Sequence, residues 1–542
     1  MNIERLVLFA RQNLDSLFIA LTGILLILVY TNHTGPGVSP DSIVYVSVAR
    51  NLNAHGALLD YNLKTLVDFP VFYPFFLSVV EFFTRTDLTI TGPYLNAFLF
   101  AGIILISGQL IHSFKYNNRL YKIVILFSIA VSPALFDVYS MLWSETLFIF
   151  LSLLFILLYR SYLKKRTVSS LLICAAVAGI ACITRYAGIT IIASGLMLLF
   201  FDRALDWKKK ITHLLSFGVI AVLPLLANLL HNRLATGLMT GPRESGITPL
   251  SENIYYFGSV VCQWMGISST AVPVVSGVVI FVLIAAVIIY SIQAWLNKAY
   301  PGAEPCFTAL FIVYTVFIIG ISTLSHFEQI NNRLISPLFI PMLIVLTAWI
   351  PRVLASHSPG NGRGMIRSAG FRKAILVVVL LTGLRFEYTQ LCKLNEMYTE
   401  AKTYGIAGYT DDSWKNSAIS RFLRTHQSAF SEDYQIYSNA HEAAYFNGNM
   451  NTESLPHLID KDDIDVFFNK KGHYLIWFNA IEDTELLSLQ TIRKHAEVVK
   501  TNAFADGSIY VVRPYEYLKK PVRHDVIFEL LTGTGNFIFF EH

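Results

Sequence analysis

The chain has 542 residues, 54% of them apolar and only 15% charged. Soluble proteins carry about 25% charged residues, so this composition excludes an ordinary water-soluble enzyme and an intrinsically disordered chain. The formal net charge of +5 is small, and the Lys and Arg residues fall in short clusters between apolar runs. That excludes the contiguous basic face a nucleic acid needs. Cys174, Cys182, Cys262, Cys306 and Cys392 stand singly, with no CxxC, so neither a zinc site nor a disulfide scaffold is indicated. What remains is a polytopic α-helical membrane protein with a soluble portion.

A bilayer core of about 30 Å needs roughly 20 apolar residues in a helix. The apolar runs predict spans near 15–32, 94–113, 120–137, 145–160, 167–183, 186–201, 212–230, 270–296, 306–325, 334–350 and 373–391, about eleven in all. The first is an anchor and not a cleavable signal, because Tyr30-Thr31-Asn32 follows it where small residues would be needed. The stretch 69–83 is apolar but short, opens with Pro70 and Pro74 and holds Glu81, so it is predicted to be interfacial or re-entrant on the outer side. If it does not cross, 19 Lys and Arg fall on one side and 7 on the other before the tail. That is the asymmetry of the positive-inside rule, and it puts the N-terminus in the cytosol.

The last span is short: Ala374–Leu384, extended by a snorkelling Arg385 and by Phe386 and Tyr388. If it crosses, a membrane portion 1–391 is followed by an extracytoplasmic portion 392–542. The latter reads as a small α/β domain. Strands are expected at Tyr434–Ser438, Tyr474–Phe478, Glu497–Thr501 and Ser508–Val512, and a helix at Thr484–His495. About 150 residues can hold a core of their own.

The outer loops carry the chemistry. In the long first one, 33–93, Ser39 is placed to cap a helix that opens with Pro40. Val44, Val48 and Leu52 make one apolar stripe, which predicts a helix on the membrane surface with Asp41 in its first turn and Tyr45 one turn on. An acid there already complements the helix dipole, so position alone does not make Asp41 catalytic. Glu145 follows Ser144 at the outer mouth of a span; it too could be a plain cap, but an ionisable group at membrane depth tends to mark a site. Arg185 tops a tight hairpin and Arg333 opens a span on the same side. Each could equally be a topology anchor or a snorkelling headgroup contact.

Taken in order, Asp41-Ser42-x-x-Tyr45 with Ala49-Arg50-Asn51-Leu52, Phe72-Tyr73-Pro74-Phe75-Phe76-Leu77, Ser144-Glu145-Thr146-Leu147-Phe148, Thr184-Arg185-Tyr186-Ala187-Gly188 and Asn332-Arg333-Leu334-x-x-Pro337 resemble the membrane glycosyltransferases of the GT-C fold. The likeness is to bacterial enzymes akin to protein mannosyltransferases and aminoarabinose transferases that use polyprenyl-phosphate sugars, and it covers about residues 1–350. Tyr437-Ser438-Asn439-Ala440 and Tyr445 look like the outer domain that some members carry.

The resemblance implies inverting transfer of a sugar from a polyprenyl-phosphate donor to a glycan, lipid or protein, on the outer side of the cytoplasmic membrane. It makes Asp41 the general base. Many members have two adjacent acids there, whereas this chain has Asp41-Ser42. No metal or other cofactor is therefore assigned, and Glu145 could supply the second carboxylate. The leaving phosphate is an anion and needs a fixed cation, for which Arg185 and Arg333 are the candidates. Tyr45, Tyr73, Tyr186 and His326 are read as contacts to donor or acceptor. A transporter or flippase of a lipid-linked saccharide is the alternative; no internal repeat supports it. A polymerase or O-acyltransferase would rest on His326 and Arg243.

Overall fold

The structure is a computed structural model that describes residues 3–114, 116, 118–241, 243–267, 302–326, 328–351, 369–431 and 433–515. The expected span 270–296 lies outside the described residues. Contacts divide the chain into two compact units. One comprises Met1–Gly37, Val44–Asp60 and Lys64–Ile406; the other comprises Val38–Ile43, Tyr61–Leu63 and Ala407–His542.

The first unit is helical: α1 (Ile3–Tyr30), α2 (Pro40–His55, whose first turn belongs to the second unit), α3 (Phe72–Thr84), α4 (Leu88–His112), α5 (Arg119–Ala130), α6 (Pro133–Tyr139), α7 (Ser144–Lys165), α8 (Val168–Thr184), α9 (Ile189–Phe201), α10 (Trp207–Thr236), α11 (Leu250–Trp264), α12 (Glu304–Leu324), α13 (Asn332–Ile335), α14 (Phe339–Thr347) and α15 (Ala369–Tyr404). Among the described residues, six stretches are long and apolar enough to cross a membrane: Asn13–Tyr30, Leu88–His112, Ser144–Lys165, Trp207–Thr236, Glu304–Leu324 and Lys373–Tyr404. A seventh would be the bent pair α5–α6.

Several expected spans change shape for local reasons. The run 120–137 is broken, its halves bent by 50°. Pro133 cannot continue a helix and forces Ser132 out of the helical region, to φ −70° and ψ 115°. The span expected from 94 starts at Leu88, where Asp87 accepts a hydrogen bond from the Thr89 amide and so caps the helix. The last span runs on to Tyr404, so the boundary falls after Ile406 and not at 391. The stretch around 69–83 forms a helix of 13 residues, about 20 Å at 1.5 Å per residue, shorter than a bilayer core.

Small and polar residues hold the helices together. A Cβ on Gly23 of α1 would meet Phe100 of α4 at 3.1 Å, so glycine is what permits that close approach. Lys122 of α5 donates to Asp15 of α1 at 2.6 Å, with both side chains nearly enclosed. The hairpin from α8 to α9 is closed by Gly188, whose missing Cβ leaves room for the Cys182 backbone. The Gly188 turn directly follows Arg185 at the end of α8 and so places that residue.

The second unit is built on a five-stranded sheet. Its strands are β1 (Gln435–Ser438), β2 (Glu453–Ser454), β3 (His473–Phe478), β4 (Ala496–Ala503) and β5 (Gly507–Pro514), in the order β2-β1-β3-β5-β4. β1 pairs in parallel with β2 and β3, and β5 runs antiparallel to β3 and β4. The four expected strands are present within a residue or two, except that β4 is longer. β2, of two residues, has no pattern to reveal it. The helix expected at 484–495 is only Leu489–His495, because Ser488 caps it at the Thr491 amide. The core includes Tyr437, Ile464, Phe467, Leu475, Leu487, Ile492 and Tyr510. Two pieces of the first loop join this unit: the Tyr409 amide donates to the Val38 carbonyl at 2.8 Å, and Tyr61 stacks on Tyr445 at 4.8 Å.

Candidate active site

The head of α7 carries a buried charge cluster. Glu145 lies in its first turn, 1% exposed, and its Oε1 accepts from two guanidiniums: Arg185 Nη1 at 2.6 Å and Arg333 Nε at 2.6 Å. Arg185 arrives from the end of α8 and Arg333 from α13, so three separate elements meet on one carboxylate. Arg333 Nη1 also lies 3.9 Å from Glu328 Oε1, and its charge acts on Asp137, in a setting where water is scarce and Coulomb interactions are strong. Arg185 Nη1 also donates to Ser144 Oγ at 2.9 Å, while its Nε is buried and has no hydrogen-bond partner. The Arg333 guanidinium lies 4.5 Å from the centre of the Trp143 ring, a cation–π contact.

The supports of this cluster were not foreseen. Asn332, beside Arg333, donates from Nδ2 to Asp137 Oδ2 at 2.7 Å and to the Ala134 carbonyl at 3.1 Å. Its Oδ1 accepts from Trp264 Nε1 at 2.7 Å. The amide is thus clamped on both sides, which fixes the helix start that aims Arg333. The available signal was a polar Asn331-Asn332 pair at the head of an apolar run and a lone Asp137 inside another.

Tyr45 reaches the cluster through a hydroxyl contact of 3.4 Å with Ser144 Oγ. Its ring packs edge-on against Tyr73 at 5.1 Å and Phe69 at 4.9 Å, and Tyr73 is fully buried. Tyr186 directly follows Arg185 and stands beside Asn228 and Asn232. His326 lies in a loop whose backbone amide donates to the Glu244 carbonyl at 2.9 Å.

Asp41 opens α2 as expected. The Ser39 and Ser42 side chains cap each other's backbone amides, at 3.1 and 3.4 Å. The helix is not the one-faced surface helix expected, however: Ser42, Ile43 and Tyr45 through Ala49 are all buried. Asp41 belongs to the second unit, where its charge acts on Glu442. Burial first, then Asp41 and Asp483, push the Glu442 carboxyl up to about 7. Glu442 also pairs with His441 Nε2 at 3.1 Å.

The motif Ala49-Arg50-Asn51-Leu52 has a structural use. Arg50 Nη2 donates to Asp87 Oδ2 at 2.5 Å, tying α2 to the cap of α4. Asn51 Nδ2 clamps the carbonyls of Leu59 and Asp60, at 2.9 and 2.8 Å. Among the described residues, no group of three or more His, Cys, Asp or Glu is placed to hold a metal ion.

No family model matches the chain, and no curated protein is similar to it at a significant level. Solved structures are similar. The apo structure of ArnT from Cupriavidus metallidurans matches with a TM-score of 0.52 at 13% identity, covering 91% of this chain and 97% of that one. The same protein bound to undecaprenyl phosphate matches at 0.51, with 13% identity and coverage of 93% and 98%. The oligosaccharyltransferase AglB from Archaeoglobus fulgidus, in complex with an inhibitory peptide and a dolichol-phosphate, matches at 0.53 with 10% identity, covering 95% of this chain and 76% of that one. Identities this low speak for architecture alone, and the architecture is shared over nearly the whole chain: this protein has the fold of the ArnT and AglB structures.

Proposed function

We propose that the chain is a glycosyltransferase that moves a sugar from a polyprenyl-phosphate donor to a glycan, lipid or protein acceptor at the outer face of the cytoplasmic membrane. The observation that carries this reading is the meeting of Arg185 and Arg333 on the buried Glu145, with the Arg185 Nε still unpartnered. Guanidinium binds phosphate through parallel N–H groups, and a preorganised cation stabilises a leaving phosphate without rearrangement. The structures of ArnT with undecaprenyl phosphate and of AglB with a dolichol-phosphate support a lipid phosphate as the ligand class.

In this reading the acceptor hydroxyl attacks the anomeric carbon from the face opposite the phosphate. The C–O bond to phosphate breaks, the lipid phosphate leaves with the electron pair against Arg185 and Arg333, and the acceptor proton passes to Asp41. Configuration inverts. Glu145 is assigned the orientation of the two cations, since both already share its Oε1. Tyr45, Tyr73 and His326 are assigned contacts to donor or acceptor, and no metal or other cofactor is required by these steps.

We also propose about eleven crossings. The six long helices, the bent α5–α6 pair, the shorter apolar helices Val168–Thr184, Tyr186–Phe201 and Asn332–Thr347, and the run 270–296 together supply them. α3 stays at the outer interface, the N-terminus is cytosolic and the sheet unit is extracytoplasmic. The experiment is sugar transfer by the purified full chain from labelled undecaprenyl-phosphate sugars to delipidated envelope glycans and proteins. Label should appear in one acceptor fraction with wild type and not with Arg185→Ala or Arg333→Ala. Equal transfer by the variants would reject the reading.

A further inference from the structure

Arg333 faces carboxylates that hold it unequally. Glu145, 1% exposed, accepts from its Nε at 2.6 Å. Glu328 faces its Nη1, with Oε1 at 3.9 Å and the side chain 44% exposed. The first contact is a charge-assisted hydrogen bond out of water, and breaking it would strand a buried charge. The second is too long for a hydrogen bond, and an ion pair open to water is weak and readily exchanged. Asp137 also acts on Arg333, but its Oδ2 already accepts from Asn332 at 2.7 Å. Of the three carboxylates, Glu328 is the one an incoming anion can replace.

Glu328 is nonetheless kept in place. Asn331 Nδ2 donates to its Oε2 at 3.0 Å. The Oδ1 of the same Asn331 accepts from the Leu334 amide at 3.1 Å and so caps α13, the short helix that carries Arg333. One side chain thus fixes both the helix that aims the guanidinium and the carboxylate that faces it. Before Glu328 in the chain, Ser325 pairs with Ser245, and the His326 amide donates to the Glu244 carbonyl at 2.9 Å. The backbone is therefore tied down on both flanks, while the carboxylate itself remains exposed beyond hydrogen-bond distance of the cation.

We propose that Glu328 is an exchangeable counter-ion of Arg333, which gives way to the donor phosphate and competes with the lipid phosphate for the guanidinium after transfer. The proposal rests on the phosphate reading of Arg333. Charge explains its use. The donor is a phosphodiester with one negative charge, whereas the lipid phosphate that leaves is a monoester with up to two. The guanidiniums that stabilise the leaving group therefore hold the product harder than the substrate. An anion waiting beside Arg333 offsets that retention and speeds release. Glu145 cannot serve, because its removal from both cations would leave it buried and unpaired.

The test measures binding to the full chain in nanodiscs. The probes are undecaprenyl phosphate and undecaprenol, which differ only in the phosphate. Glu328→Gln keeps the shape and an acceptor for Asn331 and removes the charge. It should bind undecaprenyl phosphate about two- to fivefold more tightly than wild type, the range of an exposed ion pair, with dissociation slowed by the same factor and undecaprenol unchanged. A side chain that merely braced the loop would weaken binding when changed, or leave it as it was. In an Arg333→Ala background Glu328→Gln should gain nothing, because its partner is already gone. If Arg333→Ala binds undecaprenyl phosphate as wild type does, the phosphate reading fails and the counter-ion with it. The counter-ion alone is overturned if Arg333→Ala weakens the phosphate lipid while Glu328→Gln fails to tighten it. It is equally overturned if undecaprenol tightens as much, or if the tightening persists without Arg333.

Discussion

Glu145 is the residue on which the proposed chemistry turns. A carboxylate 1% exposed is stable there only because Arg185 and Arg333 meet it, each at 2.6 Å. Glu145→Gln keeps the shape and removes the charge that orients both guanidiniums, so sugar transfer should fall at least about 100-fold while the protein stays folded. Arg333→Lys should not restore an Arg333→Ala loss, because an ammonium is a point charge without the planar fork. Asp41→Asn should reduce the maximal rate by about 10²–10⁴, the usual contribution of a positioned base, with donor binding unchanged. Kinetics with a labelled sugar-lipid read all three, and a variant at the wild-type rate would remove that residue from the mechanism. The charged members of the cluster were legible as ionisable groups beside apolar runs. The partners of Asn332 were not, because a neutral amide leaves no charge signal.

At the scale of elements, the clamp of Asn332 between Trp264 and Asp137 connects three helical segments at the base of Arg333. Asn332→Leu should lower transfer and the melting temperature together, since it strands a buried carboxylate and an indole N–H. Thermal unfolding in detergent beside the transfer assay checks it; an unchanged melting temperature would contradict the clamp. Long apolar runs predicted most helices here, and short runs punctuated by Asn439, Gly472, Asp506-Gly507 and Pro514 predicted most strands. What the runs concealed was Pro133, which breaks one of them, and Asp87, which starts α4 six residues early. Both are single-residue effects that an apolar average hides.

The sheet unit should respond to pH from two buried groups. Burial, aided by Lys470, pulls His473 down to about 4 from 6.5, and both its ring nitrogens lack hydrogen-bond partners. A depressed histidine adds stability that is whole above about 6.5 and lost as pH falls towards 4. Glu442 has the opposite sign: with its carboxyl raised from 4.5 to about 7, its contribution is whole below 4.5 and lost as pH rises through 7. Each shift corresponds to roughly 3–4 kcal/mol at most. Hydrogen exchange at the sheet amides should therefore show Glu442→Gln more protected than wild type above pH 7. It should show His473→Leu flatter than wild type below pH 6.5. Parallel pH profiles for wild type and both variants would contradict this assignment.

For the whole molecule, the sequence showed a helical membrane part followed by an α/β tail. It did not show that Val38–Ile43 and Tyr61–Leu63 belong with that tail, because those pairings join residues more than 340 positions apart and local pattern is blind to them. Orientation follows from charge: Lys208, Lys209 and Lys210 should face the cytosol and residues 407–515 the opposite side. Lys500→Cys should react with a membrane-impermeant maleimide in intact spheroplasts and Lys209→Cys only in inverted vesicles, and labelling of both in intact spheroplasts would contradict this topology.

The most direct measurement is an experimental structure of the full chain with undecaprenyl phosphate in a lipid nanodisc. The account predicts the phosphate within hydrogen-bond reach of Arg185 and Arg333, with Glu145 still against them. A phosphate seated away from both guanidiniums would contradict it.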